Sequence, residues 1–151
     1  MTTFIAAVRA ALEVDATLIA IATGGIWDTE ETGRDGLTPD MIQDADSVVI
    51  KPALFLKEST RAEFGEADAT IKAERWFLEI YGYQHTGYAT IAAMLDRVKT
   101  LLNRQQVQFT EPADYWCHLM LWRGRVSDQK DLSLGGASMS RDRYEVHVTR
   151  S

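Results

Sequence analysis

The sequence is short of the residues from which reaction centres are usually built. It has one cysteine, Cys117, and three histidines, His85, His118 and His147. A lone thiol closes no intrachain disulfide and anchors no zinc or iron–sulfur site by itself. Cys117 lies in the apolar run Tyr115-Trp116-Cys117-His118-Leu119-Met120-Leu121-Trp122, beside a histidine. Adjacent strand residues point to opposite faces, so these two neighbours do not make a thiolate–imidazole pair. The glycine pairs Gly24-Gly25 and Gly135-Gly136 fit no phosphate loop: the first follows a helical pattern, and neither leads into Gly-Lys-Ser/Thr. The acids Asp28, Glu30, Glu31, Asp35 and Asp40 miss EF-hand spacing. No catalytic, cofactor-binding or metal-binding residue is therefore expected.

Long apolar runs are missing too. None approaches the roughly 18 to 20 residues that span a bilayer. The Ala-rich start is interrupted by Arg9, Glu13 and Asp15 and has no basic segment before it, which argues for a buried helix rather than a signal peptide. The single cysteine fits folding in a reducing compartment.

Positive charge is scarce near the front. Residues 1–50 carry nine acids against two arginines, whereas residues 51–151 carry thirteen acids against fourteen lysines and arginines. The net charge of −6 thus arises mainly between Asp28 and Asp46, a stretch that would repel a nucleic-acid backbone. Trp122-Arg123-Gly124-Arg125 is the one local mixture of aromatic and basic residues that suits a stacking groove. The other tryptophans and tyrosines read better as core and subunit contacts. Trp27, Asp28, Glu30, Glu31 and Asp35 at the front, with Arg123, Arg125, Arg141 and Arg143 at the back, are candidate interface residues. Opposite charges at two ends of one chain permit head-to-tail association, which closes rings.

At 46% hydrophobic, the 151 residues can fill a core of their own and read as one domain, 1–151. Helical spacing of Phe4, Ala7, Val8, Ala11 and Leu12 predicts a helix over Thr3 to Ala22, with Asp15 capping a break within it. The polar stretch Asp28 to Asp46 predicts a long exposed loop, of the kind a partner orders. Ser47 to Leu56 reads as a strand that Pro52 confines to an edge or bulge. A polar, hairpin-like excursion follows around Gly65. Thr70 to Gln84 is the longest strand candidate, with Trp76, Leu78 and Ile80 on one side and Arg75, Phe77, Glu79 and Tyr81 on the other; two partly apolar faces suit the sheet centre. Tyr88 to Asn103 is the clearest helix, its apolar stripe formed by Tyr88, Ile91, Leu95, Val98 and Leu102. Tyr115 to Val126 and Arg143 to Thr149 read as closing strands, and residues 127–142 as a second polar loop. The fold class expected is α+β: a mostly antiparallel sheet of about four strands, two main helices on one face, and long polar loops.

Several segments together resemble the tail-terminator, or tail-completion, proteins of long-tailed double-stranded DNA bacteriophages. These are the Ala-rich first helix leading to Gly25-Ile26-Trp27-Asp28, and the Pro-containing segment Lys51-Pro52-Ala53-Leu54-Phe55-Leu56-Lys57-Glu58. The strand Trp76 to Tyr81 feeding the helix Ala89 to Leu102, and the final strand Tyr144 to Thr149, complete the likeness. It runs along nearly the whole chain, with departures in the acidic insertion after Asp28 and in residues 127–142. The resemblance implies a non-enzymatic virion protein assembled in the host cytoplasm. It also implies a ring, typically a hexamer, that ends polymerisation of the tail tube protein and joins the tail to the head–tail connector protein. DNA would pass through the lumen without specific contact, and no membrane is involved. Residues 28–46 and 127–142 are expected to contact neighbouring subunits, tube or connector. A head-completion or neck protein is an alternative, and a small ligand-binding or enzymatic α+β domain is another.

Overall fold

In the computed structural model, residues 2–44, 48–64 and 72–150 are described. Their chain order is helix α1 (Phe4–Glu13), α2 (Ala16–Ile21), strand β1 (Ile26–Asp28), short helices α3 (Thr29–Thr32) and α4 (Pro39–Ile42), β2 (Ala53–Phe64), β3 (Lys72–Gln84), α5 (Ala89–Leu102), β4 (Tyr115–Asp131) and β5 (Ala137–Arg150). The strands form one sheet in the order β1-β2-β3-β5-β4. Every pairing in it is antiparallel except β1 with β2, which sets Trp27 beside Phe55. The fold is α+β, as the pattern predicts, with five strands among the described residues rather than about four. The additional strand is β1, too short for its alternation to show.

The helix breaks where an aspartate can cap. Asp15 accepts from the Leu18 N–H at 2.9 Å and opens α2, while Thr3 caps α1. Residues Phe4, Ile5, Val8 and Leu12 of α1 and Ile91, Met94, Leu95, Val98 and Leu102 of α5 are buried. They pack on Leu54, Leu56, Trp76, Leu78, Ile80, Met120, Tyr144, Val146 and Val148, which form one face of the sheet. Trp76 anchors that core, with Phe4, Phe109 and Tyr115 rings 5.2–5.5 Å from its own. Each such ring pair adds about 0.5–1.5 kcal/mol beyond its buried area. A strand glycine sets how closely α5 lies: a Cβ on Gly82 would stand 2.9 Å from Ile91 Cγ2.

Two expected loops prove to be ordered structure. Residues 28–44 stay exposed at Glu30, Glu31, Arg34, Asp35 and Asp40, as expected of a loop, but they carry two short helices, and the part from Leu37 through α4 folds onto the opposite, outer sheet face. There Leu37 and Ile42 are buried with Ile50, Ala53, Phe55, Tyr83, Leu134 and Ala137. Isolated apolar residues in a polar context carry no periodicity, so the pattern hid this second core. Ala45 and Asp46, at the end of the predicted loop, lie outside the described residues.

Residues 127–142 are likewise no loop. β4 and β5 run as one long hairpin, pairing through Asp131 with Ala137, and a single 3-10 turn over Leu132–Leu134 joins them. Asp131 closes the turn by accepting from Ser133 N at 2.9 Å, and Gly135 and Gly136 take left-handed φ of 69° and 80°. β4 is an edge strand, so its outer half is solvated and polar. Bulges near Cys117, Trp122 and Val126 further break its alternation. The strand predicted from Ser47 starts instead at Ala53, directly after Pro52, which has no N–H for the ladder. Lys57 to Phe64, predicted as part of a polar excursion, continues β2; its tip at Gly65 lies outside the described residues.

Candidate interaction surface

Alternation along β3 and β5 divides the sheet into two chemically different faces. The helix face is apolar. The outer face forms a second apolar core beneath Leu37 and α4, and the remainder is a ladder of charged side chains with Phe77 among them. Cross-strand register brings Phe77 beside Glu145, Arg75 beside His147, and Glu79 beside Arg143.

At the centre Glu145 is nearly buried and held from two strands. Arg123 Nε donates to it at 2.7 Å from β4, and Arg75 Nε lies 2.9 Å away on β3. Burial works to raise the Glu145 pKa, but the Arg123 hydrogen bond and the charges of Arg123 and Arg75 outweigh it and hold the carboxyl below its ordinary value. The Arg143 guanidinium stacks 4.1 Å from the Phe77 ring centroid. Arg141 lies 3.6 Å from Glu79, which accepts from the Tyr81 hydroxyl at 2.9 Å. Arg75, Phe77, Arg123, Arg143, Glu145 and His147 line a shallow depression of about 600 Å³. The arrangement suits recognition of carboxylates by guanidinium forks over an aromatic floor.

Sequence-predicted residues divide between this surface and the interior. Arg123, Arg141 and Arg143 come together on the outer face. Arg125 turns to the helix side instead, donating to buried Asp142 at 2.6 and 3.0 Å and to Asp96 of α5 at 2.9 Å. Asp28 is 2% exposed; it caps α3 through the Glu31 N–H at 2.8 Å and faces Arg9. Arg9 also binds Glu31 and Glu13, so Glu31 is tied to α1. Trp27 is half-buried, its indole N–H donating to Gly24 O at 2.9 Å. Glu30 and Asp35 remain at the surface. Arg75, Phe77 and Glu145 join the site although nothing in the sequence pattern marks them for it. The outward sides of both strands are legible there, but their register is not.

A second cleft, about 650 Å³, lies between residues 106–110 and 113–118, with half-exposed Trp116 at its rim. Its cysteine is a poor nucleophile: burial raises the Cys117 thiol pKa, against weaker opposing hydrogen bonds from Val107 and Leu119. His118 also lines this cleft, and its Nε2 lies 2.6 Å from Thr149 Oγ1. Among the described residues no group of three or more His, Cys, Asp or Glu could hold a metal ion.

This fold is shared with a virion chain. The virion of the native gene transfer agent (GTA) particle contains a chain that matches with a TM-score of 0.65 at 15% identity, over 97% of this chain and 94% of that one. At that identity the likeness is one of fold. No family model matches the sequence, and no curated protein does.

Proposed function

We propose that this chain is a structural virion protein, one subunit of a ring on the head-proximal end of a phage-type tail tube. The ring, a hexamer on this reading, ends tube polymerisation and joins the tail to the head connector. The observation that carries the proposal is the end-to-end correspondence of fold with a chain of a virion particle. It agrees with the resemblance of the sequence to tail-terminator proteins. The net charge of −6 suits a conduit that lets DNA pass without gripping its phosphates.

Surface chemistry supports an assembly role. A sheet face that no described helix covers, carrying several arginines around Phe77, resembles a subunit interface more than a solvated surface. The exposed hairpin tip at Leu132, 88% accessible, offers a second contact for tube or connector.

Two measurements test the reading. Mass measurement of the purified chain, alone and with its tail tube partner, should give a closed ring in at least one condition. Labelled protein should remain on tails made without heads. Label found on heads alone would move the protein to a head-completion ring, and no association with either would refute the virion role.

A further inference from the structure

The arginine face and the acidic α3–α4 segment are complementary, and we infer that they bind each other between copies: the segment of one copy docks on the outer sheet face of the next. This rests on the ring reading above and names the contact by which its subunits join.

Among the described residues the acceptor face carries more positive than negative side chains. Arg75, Arg123, Arg141, Arg143 and Lys57 stand on the outer face against Glu79 and Glu145. Both glutamates are sunk, at 14% and 8% side-chain exposure, whereas Arg75 and Arg123 are about half exposed, at 45% and 51%. The Arg123 guanidinium, half exposed, thus presents donors outward after holding its own carboxylate. Phe77 floors this face, and Leu121 of β4, paired with Glu145, extends it.

The occupant has the opposite character. Glu30, Asp35 and Asp40 are exposed on or beside α3 and α4, with Arg34 the nearest cation in sequence. Leu37 and Ile42 pin this segment to the other half of the outer face, so the acids are presented on a fixed frame. Asp35 and Pro39 share one depression with Arg34, Pro39 and Val48 share the next, and Val48 is 75% exposed. Carboxylates with an apolar rim match guanidiniums with an apolar floor. A nucleic-acid backbone matches less well: it offers no apolar rim and would meet an overall charge of −6.

Charge reversal on the full chain tests the contact, with association read by sedimentation and native mass, and folding by circular dichroism. The wild-type oligomer should loosen as salt rises from about 0.05 to 0.5 M. Asp35→Lys with Asp40→Lys should weaken association by about tenfold or more, as should Arg123→Glu with Arg143→Glu. An equimolar mixture of the two variants should recover it, and so should one chain carrying all four changes. If the arginine variant does not fold, the aspartate variant decides alone.

A wild-type chain that stays monomeric overturns the contact, as does an oligomer indifferent to both reversals; a template-formed or differently joined ring would survive either result. Unchanged oligomers with salt-dependent DNA binding lost in the arginine variant would replace it with a nucleic-acid surface. Charge-dependent association in a protein absent from tails would leave the contact standing and refute the tail placement.

Discussion

Asp142→Asn should be among the most damaging single-atom changes available to this protein. Asp142 is fully buried on the helix side of β5, where Arg125 grips both carboxylate oxygens at 2.6 and 3.0 Å. The Arg125 side chain is itself 19% exposed. Its other partner, Asp96, lies 2.9 Å away and is 68% exposed. Breaking a buried ion pair from one side costs about 3–5 kcal/mol, because the remaining charge stays desolvated. Asparagine keeps the shape and one acceptor, and Asp96 still neutralises part of Arg125. The expected loss is therefore below that range, about 2–3 kcal/mol. For a chain of this length that corresponds to a fall in Tm of about 5–10 °C.

The outer-face ion pairs are more exposed and should behave differently. Arg123→Ala removes an equally short bond, 2.7 Å to Glu145, but from a half-exposed guanidinium, and Arg75 remains on the carboxylate. It should cost no more than about 1 kcal/mol. Asp96→Ala should cost about 0.5 kcal/mol or less. The paired change Arg125→Met with Asp142→Leu should recover most of the Asp142→Asn loss, since apolar groups of similar volume replace buried ion pairs without penalty. Urea titration followed by tryptophan fluorescence measures all four. An Asp142→Asn loss under about 1 kcal/mol, or a larger loss from Arg123→Ala, would refute the claim that burial rather than bond length sets these energies.

Three further outcomes follow from the geometry. Gly82→Ala should destabilise by about 1–3 kcal/mol, because its Cβ meets the Ile91 methyl at 2.9 Å and α5 must shift; a neutral result in denaturant titration would contradict the close approach. The Arg97 hydrogen bond holds the Asp15 pKa down at about 2, below its ordinary 3.8, and the Leu18 N–H helps against partial desolvation. A depressed folded pKa gives stability that is present above 3.8 and lost as pH falls toward 2. Asp15→Asn should therefore flatten the stability profile in that window, and an unchanged slope would rule the pair out as its source. Cys117 should resist Ellman's reagent in the native protein and react once unfolding exposes it, since burial both shields and raises the thiol; rapid native labelling would show the β4 edge to be open.

The candidate surface is partly legible in the sequence. Alternation puts Arg143, Glu145 and His147 on one side of a strand, and Arg75, Phe77 and Glu79 on one side of another. It cannot pair those sides with each other, because register depends on which strands become neighbours. Nor can it tell Arg123 from Arg125, two residues apart and both basic. The bulge at Trp122/Gly124 sends Arg123 to the outer face and Arg125 to Asp142 under α5. Asp28 reads as a surface acid because neither its capping of α3 nor the approach of Arg9 has a sequence period.

What the sequence by itself determined is whatever repeats along the chain. The stripe of α5, the cap at Asp15, the central two-faced β3 and the α+β class all follow from periodicity and local hydrogen bonding. What only the tertiary structure decided depends on contacts between distant residues. Leu37 and Ile42 become core because Phe55 and Tyr83 lie beneath them. Residues 127–142 become a hairpin because the backbone of β5 satisfies that of β4, whatever the side chains facing solvent. The charged face exists because the segment around Leu37 and α4 packs on one half of the outer sheet face, and no described helix covers the other half.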